Sequence, residues 1–121
     1  MRMWMINPRL MCRKHLLGEH VELHMFVAGL RRGIRLDGYF RNKLLEVHNI
    51  VRRHAQLAQE MDRRGYRHTS PLPRFASRRE GRVNRRANLG ELAARCVQCR
   101  RLQRAGGWRQ TVVRKGRKGE R

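Results

Sequence analysis

Residues 14–26, Lys-His-Leu-Leu-Gly-Glu-His-Val-Glu-Leu-His-Met-Phe, constrain the fold more than any other stretch of this chain. They read as one helix with two faces. His15, Glu19 and Glu22 are spaced by four and three, so they share one stripe. Leu16, Leu23, Val27 and Leu30 form a neighbouring apolar stripe that must be buried. The chain therefore needs partner helices for the apolar stripe and a reason to place two carboxylates and a histidine beside it. No period-2 stretch of any length competes with helix, and Leu, Arg, Ala, Glu, Gln and Met dominate over Val, Ile and Thr.

The rest of the chain supplies two more helical segments. Met1 to Ile6 is an apolar lead broken by Arg2, expected to tuck against the body. Asn7-Pro8 is a helix-start signal, and helix 1 is expected from about residue 9 or 12 to Arg32, stopped by Gly33. Residues 33–38 read as a connector. Helix 2 lies within residues 40–64, with Val47, Ile50, Val51, Leu57, Ala58 and Met61 as its buried stripe, Arg52, Arg53, Asp62 and Arg63 off it, and Gly65 as its stop. Residues 66–73 are a proline-stiffened loop. Helix 3 is expected over about 84–104, with Leu89, Leu92, Cys96, Cys99 and Leu102 on one stripe and Gly106-Gly107 ending it. Residues 105–121 read as a basic tail, disordered unless bound. The fold expected is all-α: a compact three-helix domain over residues 1–104 and that tail.

Charge says what such a domain is for. Lys plus Arg number 30 against 9 Asp plus Glu, a formal charge of +21 in 121 residues. That excess is most simply explained by a polyanionic partner, with nucleic acid ahead of an anionic membrane surface. No segment approaches the roughly 20 apolar residues of a membrane span, and no signal peptide is expected. Cys12, Cys96 and Cys99 are too few and too uneven for a disulfide framework, which points to a reducing, cytoplasmic setting at the nucleoid. The arginine pairs Arg52-Arg53 and Arg85-Arg86 have few acids to pair with, so phosphate contact is the better reading. Trp108, in the basic tail, is placed to stack on an unpaired base.

Two motifs invite a metal and are set aside. His20 and His24 stand four apart, but Glu22 does not follow the first histidine directly, as a metalloprotease helix needs, and no third ligand is evident. Cys96-Val-Gln-Cys99 has CxxC spacing but falls mid-helix on the apolar stripe, with Cys12 far away in sequence, so core packing is the stronger reading. No metal and no organic cofactor are expected. The α-amine of Met1 is the less obvious reactive group. An α-amino group has a reference pKa of about 7.7–8.0 against about 10.4 for lysine, so near pH 7 it is a ready amine nucleophile. Met1 should survive processing because Arg2 is large.

Taken together, Met1-Arg2, Asn7-Pro8-Arg9-Leu10, the run from His15 to His24, and Arg53-His54-x-x-Leu57-x-x-Glu60-Met61-x-x-Arg64-Gly65-Tyr66-x-His68-x-Ser70-Pro71-Leu72 resemble the pyrimidine-dimer DNA glycosylases of the phage endonuclease V type, over about residues 1–104. The resemblance implies a helical monomer that acts on damaged double-stranded DNA, away from membranes, as both glycosylase and abasic-site lyase. It implies that the N-terminal amine, here Met1, attacks C1′ of the damaged nucleotide and forms an imine. It also implies that a helix-1 glutamate, here Glu22, is essential. Arg2 matches the arginine beside the nucleophile, and His15 and Glu19 would support Glu22 or the sugar. Two helix-1 arginines that touch phosphates in the phage enzyme correspond to Val21 and Met25, and its aromatic C-terminal segment has no counterpart unless Trp108 serves. The alternative of another class is a non-catalytic basic module that binds RNA or ribosomes. A general abasic-site lyase without dimer specificity would keep the same residues.

Overall fold

A computed structural model describes residues 1–67 and 70–116, with side chains described as far as residue 106. The described residues are helical and contain no strand. Short 3-10 turns at Pro8–Leu10 and Val47–Asn49 accompany five helices: α1 Arg13–Arg31, α2 Asp37–Arg41, α3 Ile50–Arg63, α4 Arg85–Arg95 and α5 Val97–Gly116. Among the described residues no helix is long and apolar enough to cross a membrane.

Three expectations are corrected. The connector after Gly33 contains the short helix α2. The expected third helix breaks at Cys96, whose backbone is extended (φ −129°, ψ 117°), giving α4 and α5. The backbone of α5 then continues through Gly106-Gly107 to Gly116 instead of ending there. The stretch from 105 to 116, expected as an unstructured tail, is therefore helical along its backbone; residues 117–121 lie outside the described residues.

The core is strung along the N-terminal segment. Met3, Trp4, Ile6, Met11 and Cys12 are all buried, and they form one cluster with Leu16, Leu23, Phe26 and Val27 of α1 and Ile50, Leu57 and Met61 of α3. Val83, Leu92 and Cys99 close the far side. Gly33 and Gly65 end α1 and α3 as the sequence indicated. The buried stripe of α3 is Ile50, Arg53, His54, Leu57, Glu60 and Met61. Val51, expected in that stripe, is 61% exposed instead. Arg53, expected off the stripe, lies on it because a buried carboxylate on α1 faces it: its Nε and Nη2 donate to Glu19 at 2.6 and 2.8 Å.

A second buried carboxylate fixes the long loop before α4. Glu46 accepts the Val83 N–H at 2.7 Å, the Asn49 amide at 2.7 Å and Arg85 at 3.2 Å. Burial alone would push its carboxyl up, but Val83, Asn49 and Arg85 together outweigh that and hold it below the ordinary carboxylate range. Beside this clamp, Gly81 has φ +92°, and a Cβ there would sit 2.0 Å from the Leu45 carbonyl oxygen. Gly81→Ala therefore forces both a disfavoured backbone region and a backbone clash. It is expected to cost about 3 kcal/mol or more. Gly18→Ala, mid-helix with nothing within 4 Å of the new Cβ, should instead stabilise by about 0.5–1 kcal/mol. Urea denaturation of the two variants checks the contrast.

Candidate active site

The segment 1–6 is held from several sides. The Met3 N–H donates to the Leu44 carbonyl at 2.8 Å. The Asn88 amide donates to the carbonyls of Met3 and Trp4 at 3.2 and 3.0 Å. Arg53 donates to the Ile6 carbonyl at 2.7 Å. Arg64 reaches back from the end of α3 to the carbonyls of Pro8 and Met11 at 3.0 and 2.7 Å. An N-terminus would ordinarily fray, but these bonds give this one a fixed path over the middle of α1.

That path ends on a carboxylate. The Arg2 N–H donates to Glu22 Oε1 at 2.7 Å. Backbone dimensions keep the Met1 nitrogen within about 4 Å of the Arg2 nitrogen, hence within about 7 Å of that carboxylate. Met1 is exposed and Glu22 half-buried, so both remain open to a large ligand. Among the described residues the second oxygen of Glu22 takes no hydrogen bond. Val21 and Met25, 55% and 50% exposed, flank Glu22 as an apolar surface.

The sequence profile of the family described as pyrimidine dimer DNA glycosylase matches residues 1–74. The chain belongs to the pyrimidine dimer DNA glycosylase family. The match covers the whole N-terminal segment, α1 and α3, and so includes both Met1 and Glu22. No curated relative and no solved structure matches the chain. Membership makes a DNA glycosylase the general function, with pyrimidine-dimer DNA as its substrate class.

The other site residues read from the sequence fall into three groups in this glycosylase. The side chain of Arg2 is turned away from solvent: it donates to Glu91 at 2.8 Å and Asn88 at 2.7 Å and stacks over Trp4 at 3.9 Å. It anchors the terminus to α4 rather than reaching outward for phosphate, and it holds the Glu91 carboxyl below the ordinary range, with Arg95 adding to the effect. Arg53 and Glu19 form the interior ion pair already described, so the sequence reading of Arg53 as a phosphate contact is corrected: at 1% exposure it cannot meet DNA.

His15 is not hydrogen-bonded to Glu22. Its Nδ1 lies 3.3 Å from Cys12 Sγ and 3.6 Å from Cys99 Sγ, with the Trp4 ring edge-on. Burial first, then Lys14 and Arg95, lowers its pKa below the ordinary histidine value, while Glu22 opposes them.

Surface arginines make up the third group. Arg52 and Arg85 are brought together with Arg9 and Arg63 around a groove of about 660 Å³. Arg86 is exposed on the first turn of α4, and the Trp108 side chain lies outside the described residues. Sequence reasoning missed Asn88, Glu91 and Trp4, the partners that lock Arg2. It also missed His54, whose ring meets His20 and His24 at centroid distances of 4.8 and 5.1 Å. In the sequence Asn88, Glu91 and His54 showed only as polar residues inside predicted helices, and Trp4 only as part of the apolar lead.

Proposed function

We propose that this glycosylase is bifunctional, combining removal of the damaged base with abasic-site lyase cleavage through an imine on the Met1 amine. The observation that carries the proposal is the 2.7 Å bond from the Arg2 N–H to Glu22, which sets the preceding amine beside a carboxylate with an open oxygen. In this reading the basic surface, with Arg52, Arg85 and Arg86, holds the duplex through its phosphates. A weakened lesion pair favours extrusion of a nucleotide, and the exposed Val21 and Met25 lie against the opened DNA.

The Met1 nitrogen then attacks C1′ and the glycosidic bond to the base breaks. The Glu22 carboxylate stabilises the developing sugar cation. Loss of an amine proton and opening of the C1′–O4′ bond, with a proton delivered to O4′, gives the imine. Removal of a C2′ proton expels the 3′ phosphate and cuts the strand, and water hydrolyses the imine to free the amine. In this reading Glu22 moves these protons. Glu19, from the interior, and the partly buried His15 fix the helix that carries Glu22.

Borohydride trapping tests this on duplexes carrying one cyclobutane dimer, one abasic site, or no damage. The expected result is a covalent adduct on the dimer and abasic duplexes, mapped to Met1. An adduct on the abasic duplex alone would reduce the reading to a lyase of other lesion choice. Tight binding to all three duplexes without any adduct would replace it with the non-catalytic binding reading.

A further inference from the structure

Outside the active site, four chemistry-bearing side chains converge where α1 starts and where α4 gives way to α5. One ligand atom each from Cys12, His15, Cys96 and Cys99 lies within 4.8 Å of the others. We propose that Cys12, His15, Cys96 and Cys99 form a closed tetrahedral zinc site that staples the start of α1 to the break between α4 and α5.

The distances have the right size. Zinc holds sulfur at about 2.3 Å and imidazole nitrogen at about 2.0–2.1 Å, so a tetrahedral site has S···S edges of about 3.8 Å and S···N edges of about 3.6 Å. Here Cys12 Sγ and Cys96 Sγ are 3.8 Å apart, and His15 Nδ1 stands 3.3 and 3.6 Å from the sulfurs of Cys12 and Cys99. The cysteines are free thiols, and the 3.8 Å separation is far beyond the roughly 2.05 Å of a disulfide.

The spacing and backbone fit as well. Cys12-x-x-His15 and Cys96-x-x-Cys99 are two ligand pairs of the short spacing common in structural zinc sites. The extended backbone of Cys96 is what lets the second pair converge, since it interrupts the helix between α4 and α5. Backbone donors already address the sulfurs: the Cys12 N–H points to Cys99 Sγ at 3.2 Å and the Cys99 N–H to Cys96 Sγ at 3.4 Å. Such outer bonds stabilise ligating thiolates. Zinc binding would release the thiol protons to solvent and use the neutral Nδ1 lone pair, leaving a site of net charge minus one. Lys14 and Arg95 lie close enough to His15 to offset that charge.

Four protein ligands with soft sulfur leave no open position, so the site is structural rather than catalytic. It also joins two parts of the chain: Cys12 and His15 lie inside the family match at 1–74, and Cys96 and Cys99 lie beyond it. The proposal stands on this geometry and is independent of the glycosylase chemistry.

Metal analysis of the full chain, stripped with a chelator and titrated with zinc against a chromophoric competitor, tests it. One zinc per chain should be retained, with all three thiols protected from alkylation until chelator is added. Cobalt in its place should give an intense thiolate charge-transfer band, which a site built from His20, His24 and His54 could not give. Cys96→Ser and His15→Ala should weaken retention by at least tenfold, and His15→Cys should preserve it. Failure of the folded wild-type chain to take up zinc would overturn the proposal, whatever the variants do. So would uptake that leaves the thiols reactive and the cobalt spectrum without a thiolate band.

Discussion

Glu22→Gln is expected to lower strand cleavage at a pyrimidine dimer by at least about 100-fold while leaving duplex affinity within a few-fold. Glutamine has nearly the same shape, and its carbonyl oxygen can still accept the Arg2 N–H, which is the bond that positions the terminus. Only charge and proton capacity are lost. In the proposed mechanism the sugar cation is then left without a counter-charge, and the protons of imine formation and elimination without a nearby carrier. Affinity should hold because the change removes a negative charge from a chain that already carries +21. The split between cleavage and binding is read by single-turnover cleavage alongside equilibrium binding at fixed salt. A glutamine variant that cleaves within a few-fold of the parent would remove Glu22 from the mechanism. One residue added before Met1 is the companion test, since it moves the amine by about 3.5 Å without touching the carboxylate.

The largest stability effect is expected at Arg53. Arg53→Met should cost about 3–5 kcal/mol, because it leaves the Glu19 carboxylate buried without its cation. Both side chains are essentially inaccessible, and the two bonds between them, at 2.6 and 2.8 Å, have no solvent to replace them. The same substitution also frees the Ile6 carbonyl. Replacing both partners, as Glu19→Leu with Arg53→Met, removes the orphaned charge and should recover most of the loss, since apolar isosteres of a buried pair are often neutral or better. Urea denaturation of the two singles and the double at neutral pH measures the coupling. A cost below about 1 kcal/mol for Arg53→Met would mean that the pair is effectively solvated. Even where stability recovers, the double variant should cleave more slowly, because the segment leading to Met1 has lost one of its anchors.

The sequence made α1, α3 and the stripe carrying Glu22 legible, because each is a local pattern of period 3.6 with a glycine stop. Through the resemblance, whose motifs lie inside the matched 1–74, it also singled out Met1 and Glu22, which the structure brings near one another. Arg53 was hidden because an arginine beside another arginine ordinarily lies on the surface, and its partner stands 34 positions away on another helix. The same reasoning displaced Val51: once Arg53 and Glu60 occupy the inner face of α3, the apolar residue beside them turns outward. The cysteine and histidine cluster was invisible for a related reason. Cys96-x-x-Cys99 on a continuous stripe looks like packing, and only the break at Cys96 turns it toward Cys12 and His15, 84 positions away. Arg2 shows the limit of analogy: its position beside the amine is as expected, while its guanidinium is committed to Glu91 and Asn88.

Those anchors set an order of assembly during synthesis. Residues 1–6 leave the ribosome early, but Asn88 and Glu91, which hold Met3, Trp4 and Arg2, are made more than eighty residues later. Chains emerge at roughly 5–20 residues per second, so the terminus waits several seconds, long after α1 and α3 have had time to pair. Contacts this distant in sequence close late because their loop entropy is paid before they return anything. Met1 and Glu22 therefore take up their final positions beside one another only when the α4 segment docks, and an unfinished chain still attached to the ribosome would carry these candidate site residues unassembled.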